Sequence, residues 1–328
     1  MPSRSRPGPA TGETEMKAAV SFAGQAPVYQ EFDDPVAEPG TVVVKVSASA
    51  LTRLDMAIAE GRHYIKPGAG RFVVGREGVG RLADGQRVYF NVNAPRAPYG
   101  SMAQRALVDP ALTFPVPDGI DDARAAALGN AGLAAWLPLS WRAHMQPGET
   151  VLVLGATGIS GLLAVAAARL LGAGRVIAAG RDVRALQRAR RLGADAVVPL
   201  DQPGDLVDAY RNAAGGSVDI VLDYLCGAPA EAALLALGHG GRLVHIGTTV
   251  APTITFAGAA ARQACFDIMG FAYYHAPIEA QAQAYAELCR HTAAGRMEID
   301  IVAEPLEAVG RVWAAQAQGA RQRFVLVP

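Results

Sequence analysis

The sequence predicts an α/β protein in which a doubly wound parallel sheet follows a smaller, β-rich domain. Three observations carry this prediction. Residues 151–161 read as a strand, a glycine turn and the start of a helix. Strands and helices then alternate as far as residue 246, the pattern that builds a parallel sheet. Before residue 118 the chain instead holds short apolar segments punctuated by Gly and Pro.

Taken in order, residues 1–15 are rich in Pro, Gly, Ser and Arg and are expected to form a disordered tail. They lack the apolar stretch of a signal peptide. Strands are expected at 16–22, 41–49, 72–74, 87–90 and 102–108. Asp118-Gly119-Ile120-Asp121 opens an alanine-rich helix over 122–128, and broken helix continues to about His144. Gln146-Pro147-Gly148-Glu149 turns the chain into the strand Val151-Leu152-Val153-Leu154, branched and apolar throughout as a strand buried on both faces must be. Residues 162–171 follow as a helix with no Pro and no internal Gly. Further strands are expected at 175–179, 196–198, 218–223 and 241–246, with helices at 186–192, 206–212 and 228–237 between them. A longer amphipathic helix at 276–294 and a strand at 324–327 complete the series.

At 328 residues two domains are expected, and a hydrophobic content of 51% is ample for their cores. Lys+Arg and Asp+Glu are equal at 30 each, which argues against nucleic acid or an anionic membrane as partner. The three cysteines, Cys226, Cys265 and Cys289, are far apart and form no C-x-x-C pair. Neither a disulfide framework nor a cysteine-built zinc site is suggested, and a reducing cytoplasm fits. Every long apolar run is broken by Gly, Arg or Pro, so no membrane-spanning helix is expected.

The turn Gly155-Ala156-Thr157-Gly158-Ile159-Ser160-Gly161 has the context of a dinucleotide fingerprint, because a strand precedes it and a helix follows. Gly158 would let the backbone approach a pyrophosphate, and Gly161 would let the helix pack on the strand. Amides at the helix start would then face phosphate oxygens. The competing reading is a tight turn in a nucleotide-free domain. Cofactor choice turns on the end of the second strand, where NAD enzymes place an acidic residue about 20 positions on. That place is held by Gly180, followed by Arg181, Asp182, Arg184 and Arg188. Guanidinium groups there favour a 2′-phosphate, so NADPH is expected rather than NADH. The alternative is that these arginines are a solvated helix face.

Several stretches resemble the medium-chain dehydrogenase/reductase superfamily, in particular its zinc-free quinone oxidoreductase and enoyl reductase branches. They are Pro147-Gly148-Glu149-Thr150-Val151, Gly155-Ala156-Thr157-Gly158, Arg191-Leu192-Gly193-Ala194-Asp195 and Gly240-Gly241-Arg242-Leu243-Val244-His245-Ile246-Gly247. The resemblance covers about residues 16–328. It implies a GroES-like catalytic domain over 16–125 completed by 269–328, a Rossmann domain over 126–268, and an active site in the cleft between them. Zinc-dependent members carry ligands at the positions of Thr52, Arg76 and the neighbourhood of Asn130, and these three residue types do not make a tetrahedral zinc site. Without zinc, alcohol oxidation loses its Lewis acid. The resemblance then implies hydride delivery to a quinone or an α,β-unsaturated carbonyl. Charge building on the carbonyl oxygen would need a donor, and a proton must be supplied.

For the donor, the loop Gly61-Arg62-His63-Tyr64-Ile65-Lys66 resembles the Gly-x-Tyr loop of enoyl reductases, which makes Tyr64 the candidate acid, with His63 beside it and Lys66 weaker. Tyr64 can equally be a residue covering the domain edge. Asn130, in a segment that lines the nicotinamide in relatives, can bond a carboxamide or substrate carbonyl, or can cap a helix. Thr52 and Asp55 resemble the Asn-x-x-Asp stretch of quinone reductases, which implies Thr52 as a catalytic candidate nearest the cleft, with Asp55 also a possible cap. Glu77 is expected to pair with an arginine. Tyr224, Gly247 and Thr248 end two strands at the sheet edge where ligands bind, and are read as cofactor contacts. Tyr273, Tyr274 and His275 either wall the substrate pocket or belong to the core. Pro252-Thr253-Ile254-Thr255-Phe256 alternates polar with apolar and is expected to be an edge strand that pairs across a homodimer axis. Two other functions stay open: a stand-alone biosynthetic imine or ketone reductase, and a non-catalytic NADPH-binding or sensing protein.

Overall fold

The computed structural model describes residues 15–66, 70–92, 98–202, 204–320 and 322–328. The expected tail, but for its last residue, lies outside these. Contacts divide the chain into two units. One takes in the described residues up to Thr113 together with Val302–Ala320 and Phe324–Pro328, and the other Phe114–Ile301 with the neighbourhood of Arg323.

The first unit begins with β1 (Glu15–Ser21), β2 (Val28–Asp33) and β3 (Val42–Ala50), then helix α1 (Arg53–Ala59). After β4 (Phe72–Val73) come β5 (Glu77–Arg81), β6 (Arg87–Asn91), β7 (Arg105–Val108) and β8 (Thr113–Pro115). The chain returns to this unit through β15 (Ile301–Pro305), α10 (Val309–Ala317) and β16 (Arg323–Val327). Strands β2-β1-β4 form a small sheet, and β15-β16-β3-β5-β6-β8 a larger one in which β7 also pairs with β3. The strand expected from 102 starts only at Arg105, because Met102 is taken up by backbone bonds to Val74 and Ala19. One core gathers Leu51, Met56, Phe72, Trp313, Phe324 and Leu326, so residues from both ends of the chain bury one another.

The second unit opens with α2 (Asp122–Ala127) and α3 (Gly129–Leu137). Its alternating part is β9 (Thr150–Leu154), α4 (Ile159–Leu170), β10 (Arg175–Gly180), α5 (Val183–Arg191), β11 (Ala196–Pro199), α6 (Leu206–Ala214), β12 (Val218–Asp223), α7 (Ala228–Ala236) and β13 (Leu237–His245). Helix α8 (Gly258–Ala264), β14 (Asp267–Gly270) and α9 (Ile278–Ala293) complete it. The sheet order is β11-β10-β9-β12-β13-β14, and every pairing is parallel. Renumbered from β9 this is 3-2-1-4-5-6, the doubly wound order whose direction reverses beside β9. Leu152, Leu154, Val221 and Leu243 pack with Tyr210, Ala230 and Leu234 from α6 and α7. Val151 and Val153 alternate to the other face, where α4 packs with an almost wholly alanine and leucine surface. Burying one such leucine contributes about 1.5–3 kcal/mol.

The expected edge strand is corrected. Residues 252–256 join no ladder, and the strand at this edge of the sheet is β14. Among the described residues no helix is long and apolar enough to cross a membrane.

Candidate functional site

In the second unit the site is built where β9 ends. Gly155 turns the chain at φ 83°, and the amides of Gly155 and Ala156 both donate to Ala179 O on β10, at 2.9 and 3.0 Å. Gly158 N closes the turn on Gly155 O at 3.0 Å. A Cβ on Gly161 would lie 2.2 Å from Gly155 O, so the third glycine is demanded by the approach of α4 to the turn. Gly158 differs. A Cβ there would meet only Gly155 O, at an ordinary 3.5 Å, so the fold itself does not require glycine at this place. Gly158 is also the N-cap of α4 and offers no side-chain cap. The leading amides of the helix are therefore left to whatever approaches, with the positive end of the helix dipole behind them. A glycine unneeded by the fold, at an uncapped helix start, fits a pyrophosphate.

At the end of β10 the space that Gly180 leaves is taken by Thr157, whose methyl would sit 2.4 Å from a Cβ. Glycine here seats the fingerprint loop on the neighbouring strand. Arg181 and Arg184 are exposed. Asp182 caps α5, its Oδ1 accepting from Ala185 N at 3.0 Å. Arg188 is drawn into ion pairs with Asp300 and Glu298.

Beyond the switch in strand order, the carboxyl ends of β12 and β13 are joined by Asp223, which is 0% exposed. Its Oδ1 accepts the amides of Leu225 and Cys226 at 2.9 and 2.8 Å, holding a turn in which Cys226 takes the left-handed φ of 66°. Its Oδ2 meets His245 Nδ1 at 2.8 Å. The hydrogen bond to this carboxylate raises the imidazole pKa above its usual value, against the opposing effect of burial. Nothing local in the sequence announces the pair. The residues are 22 apart, and only the parallel register of β12 on β13 places them side by side.

Tyr224 hangs over Gly155, its Cβ 3.3 Å from where a Gly155 Cβ would stand. Its hydroxyl donates to Ala134 O on α3 at 2.8 Å, and burial raises its pKa far above the phenol range. Asn130 lies on the same helix one turn before Ala134. It is the second residue of α3 and not a cap, because Leu128 holds the N-cap position. Gly247 is pressed against Tyr224, with a Cβ to lie 2.9 Å from Tyr224 O, and Thr248 is exposed beside it. The fingerprint, Tyr224, Gly247 and α3 thus converge. Tyr273 is buried, with its ring 5.4 Å from that of Tyr274, while His275 is exposed. A surface recess of about 410 Å³ between Arg211 and Leu237 lies at the amino ends of β12 and β13, the opposite edge of the sheet, and takes no part.

In the first unit, Thr52 is the N-cap of α1 in a capping box with Asp55. The Thr52 hydroxyl donates to Asp55 Oδ2 at 2.6 Å and accepts from Asp55 N at 3.1 Å. Thr52 is therefore the N-cap, and Asp55 shares the capping, its Oδ2 accepting from Thr52 N at 2.7 Å. Arg76 is buried at 7% exposure. Buried Glu77 accepts from the Tyr89 hydroxyl at 2.9 Å. A hydroxyl committed to a carboxylate and a buried guanidinium are unsuited to hold zinc. In the following loop Tyr64 is 68% exposed and His63 half-buried.

Comparisons with known proteins agree with this geometry. Residues 160–289 match the family model described as zinc-binding dehydrogenase. A mycocerosic acid synthase-like polyketide synthase of Mycobacterium tuberculosis is 32% identical over 228 residues, 67% of this chain and 10% of that protein. A phenolphthiocerol/phthiocerol polyketide synthase of the same organism is 30% identical over 200 residues, 57% of this chain and 9% of that protein. The chain spans about a tenth of the length of these curated relatives. Among solved structures, a probable oxidoreductase from Mycobacterium abscessus superposes with a TM-score of 0.81 at 28% identity, covering 97% of this chain and all of that one. A quinone oxidoreductase from Thermus thermophilus, solved also in complex with NADPH, gives 0.79 at 28% identity, covering 95% of this chain and all of its own.

Proposed function

Since the chain belongs to the medium-chain dehydrogenase/reductase superfamily, we propose that it is an NADPH-dependent, zinc-independent reductase of quinones or α,β-unsaturated carbonyls. The observation that carries the cofactor part is Gly158, a glycine that the fold does not need at the uncapped start of α4. The leading amides of α4 hold the pyrophosphate, and Arg181 and Arg184 lie where a 2′-phosphate would follow. Tyr224, Gly247, Thr248 and Asn130 line the nicotinamide end. Bound NADPH supplies a hydride to the β carbon of a conjugated acceptor. The protein orients that acceptor and stabilises the charge that grows on its carbonyl oxygen. Likeness to polyketide synthases supports enoyl thioesters within this class, and likeness to the Thermus protein supports quinones. The test is NADPH consumption against a panel of quinones, enones and enoyl thioesters. Tight NADPH binding with turnover of none of them overturns the reductase reading in favour of a binding protein.

Three expected results accompany this reading. Arg181→Ala weakens NADPH about tenfold and leaves NADH nearly unchanged, since a charge-assisted contact is worth about 1.5–3 kcal/mol. Equal loss for both cofactors in parallel titrations removes the 2′-phosphate role. Elemental analysis of the purified protein finds no stoichiometric zinc, and one tightly bound zinc per chain refutes the assignment drawn from Thr52 and Arg76. We also propose that two copies pair through the edge strand β14, where Ile268 is 40% exposed and Phe256 nearby 52%. Light scattering is expected to give a dimer, with Ile268→Lys shifting it toward monomer. A monomeric wild type sinks the idea.

A further inference from the structure

We propose that Tyr224 is a positioning residue for the cofactor: its hydroxyl stands in for the hydrogen-bond donor that Pro138 takes away from α3, and so fixes the helix that carries Asn130 beside the fingerprint turn. This rests on the NADPH reading and specifies what holds the nicotinamide end of that site.

The need arises in the sequence. In a regular helix the carbonyl of Ala134 accepts from the N–H of the fourth residue on. That residue is Pro138, which has no N–H. Both residues are buried, and a buried carbonyl left without a donor is costly. The chain does not return to regular helix at once. Over Pro138–Arg142 it widens into turns closed between residues five apart, with Ala143 N donating to Pro138 O at 2.9 Å. The Tyr224 hydroxyl supplies the missing donor, reaching Ala134 O at 2.8 Å from 90 positions away in the chain.

Tyr224 can do this because its backbone is held on two other sides. Its N–H donates to Leu154 O at the end of β9, at 3.3 Å. Its carbonyl accepts from Thr249 Oγ1 at 2.9 Å and from Thr249 N at 3.4 Å, just past Gly247 and Thr248. Its Cβ lies over Gly155. One residue therefore ties together three parts of the second unit: the fingerprint turn, the loop beyond β13 and α3. Asn130 lies four residues before Ala134 on the same face of α3, so a shift at the Ala134 carbonyl is passed to it along the helix. The hydroxyl is committed to the helix and is not offered to the cofactor. Burial raises its pKa far above the phenol range, so it stays protonated and able to donate.

The experiment titrates the full chain with NADPH and with 2′,5′-ADP, a fragment that has the adenosine half and no nicotinamide. Tyr224→Phe keeps the ring over Gly155 and loses the donor. It is expected to weaken NADPH about tenfold and to leave 2′,5′-ADP unchanged, a split that a general loss of stability would not produce. Pro138→Ala returns an N–H to the helix. Alone it is expected to shift neither affinity by more than about twofold, and combined with Tyr224→Phe it restores most of the lost NADPH affinity. Where Tyr224→Phe alone melts too low to titrate, the double variant is expected to melt near wild type and to bind NADPH. Equal weakening of both ligands overturns the proposal, as does wild-type NADPH affinity in Tyr224→Phe or a double variant no better than the single one. A wild type that binds neither ligand overturns the NADPH reading first, and this inference with it.

Discussion

Gly161→Val is expected to abolish NADPH binding and to destabilise the second unit by about 3 kcal/mol or more. The new Cβ would stand 2.2 Å from Gly155 O and 2.7 Å from Ala156 Cα. Both are backbone atoms of a turn tied to β10 by two hydrogen bonds to Ala179 O, so neither can yield cheaply. Helix α4 must move off the sheet, and its leading amides move with it. Gly158→Ala gives the informative contrast. Its Cβ meets nothing closer than 3.5 Å, so the melting temperature should hold while NADPH affinity falls by more than about tenfold. Calorimetry and cofactor titration on both variants check this. NADPH affinity equal to wild type in Gly158→Ala would show that no ligand approaches the backbone there.

Asp223→Ala is expected to cost about 3 kcal/mol or more, because a fully buried carboxylate leaves the groups that donate to it without an acceptor. Two amides and one imidazole nitrogen lose their acceptor together. For a unit of this size the melting temperature should fall by roughly 10 °C. The variant should also lose a pH dependence. His245 has its folded pKa raised by Asp223, so the pair's charge-dependent stabilisation is fully present below the unfolded value of about 6.5. It is lost as pH rises through the higher folded value. Melting curves across that range should show wild type losing stability as this group deprotonates, and Asp223→Ala showing no such step. A wild type flat through the window would mean that His245 is neutral throughout.

The parallel sheet is legible in the sequence because its strands are short apolar runs bounded by glycine. Val218–Asp223 reads at its observed bounds, and the fingerprint strand, α4 and β10 come within three residues at each end. The misplaced elements lack such signals. Strand β13 begins at Leu237, four residues early, because Gly238, Gly240 and Gly241 read as a turn although the ladder runs through them. Edge strand β14, Asp267–Gly270, contains an aspartate and a glycine and so carries little β-propensity, while the better pattern at 252–256 stays unpaired. In the site, the glycines and arginines are visible from spacing alone. Asp55 is legible as a capping residue, but that Thr52 is the N-cap and Asp55 its partner three residues on emerges only from the hydrogen bonds. The Asp223–His245 bond and the bond from Ile65 N to His63 Nδ1 are not legible. One needs the register of two strands, the other the path of a loop backbone.

Strand β16 pairs Val325 with Ala50, partners 275 positions apart in the chain. At about 5–20 residues per second, β3 waits on the order of tens of seconds of synthesis for this neighbour. Throughout that time its hydrogen-bonding groups at Ser49–Leu51 remain an open template for any passing strand. The second unit, nearly continuous in sequence, has no such wait. Aggregation of this protein is therefore expected to rise with the time the nascent chain stays incomplete, a hazard that the finished fold does not display.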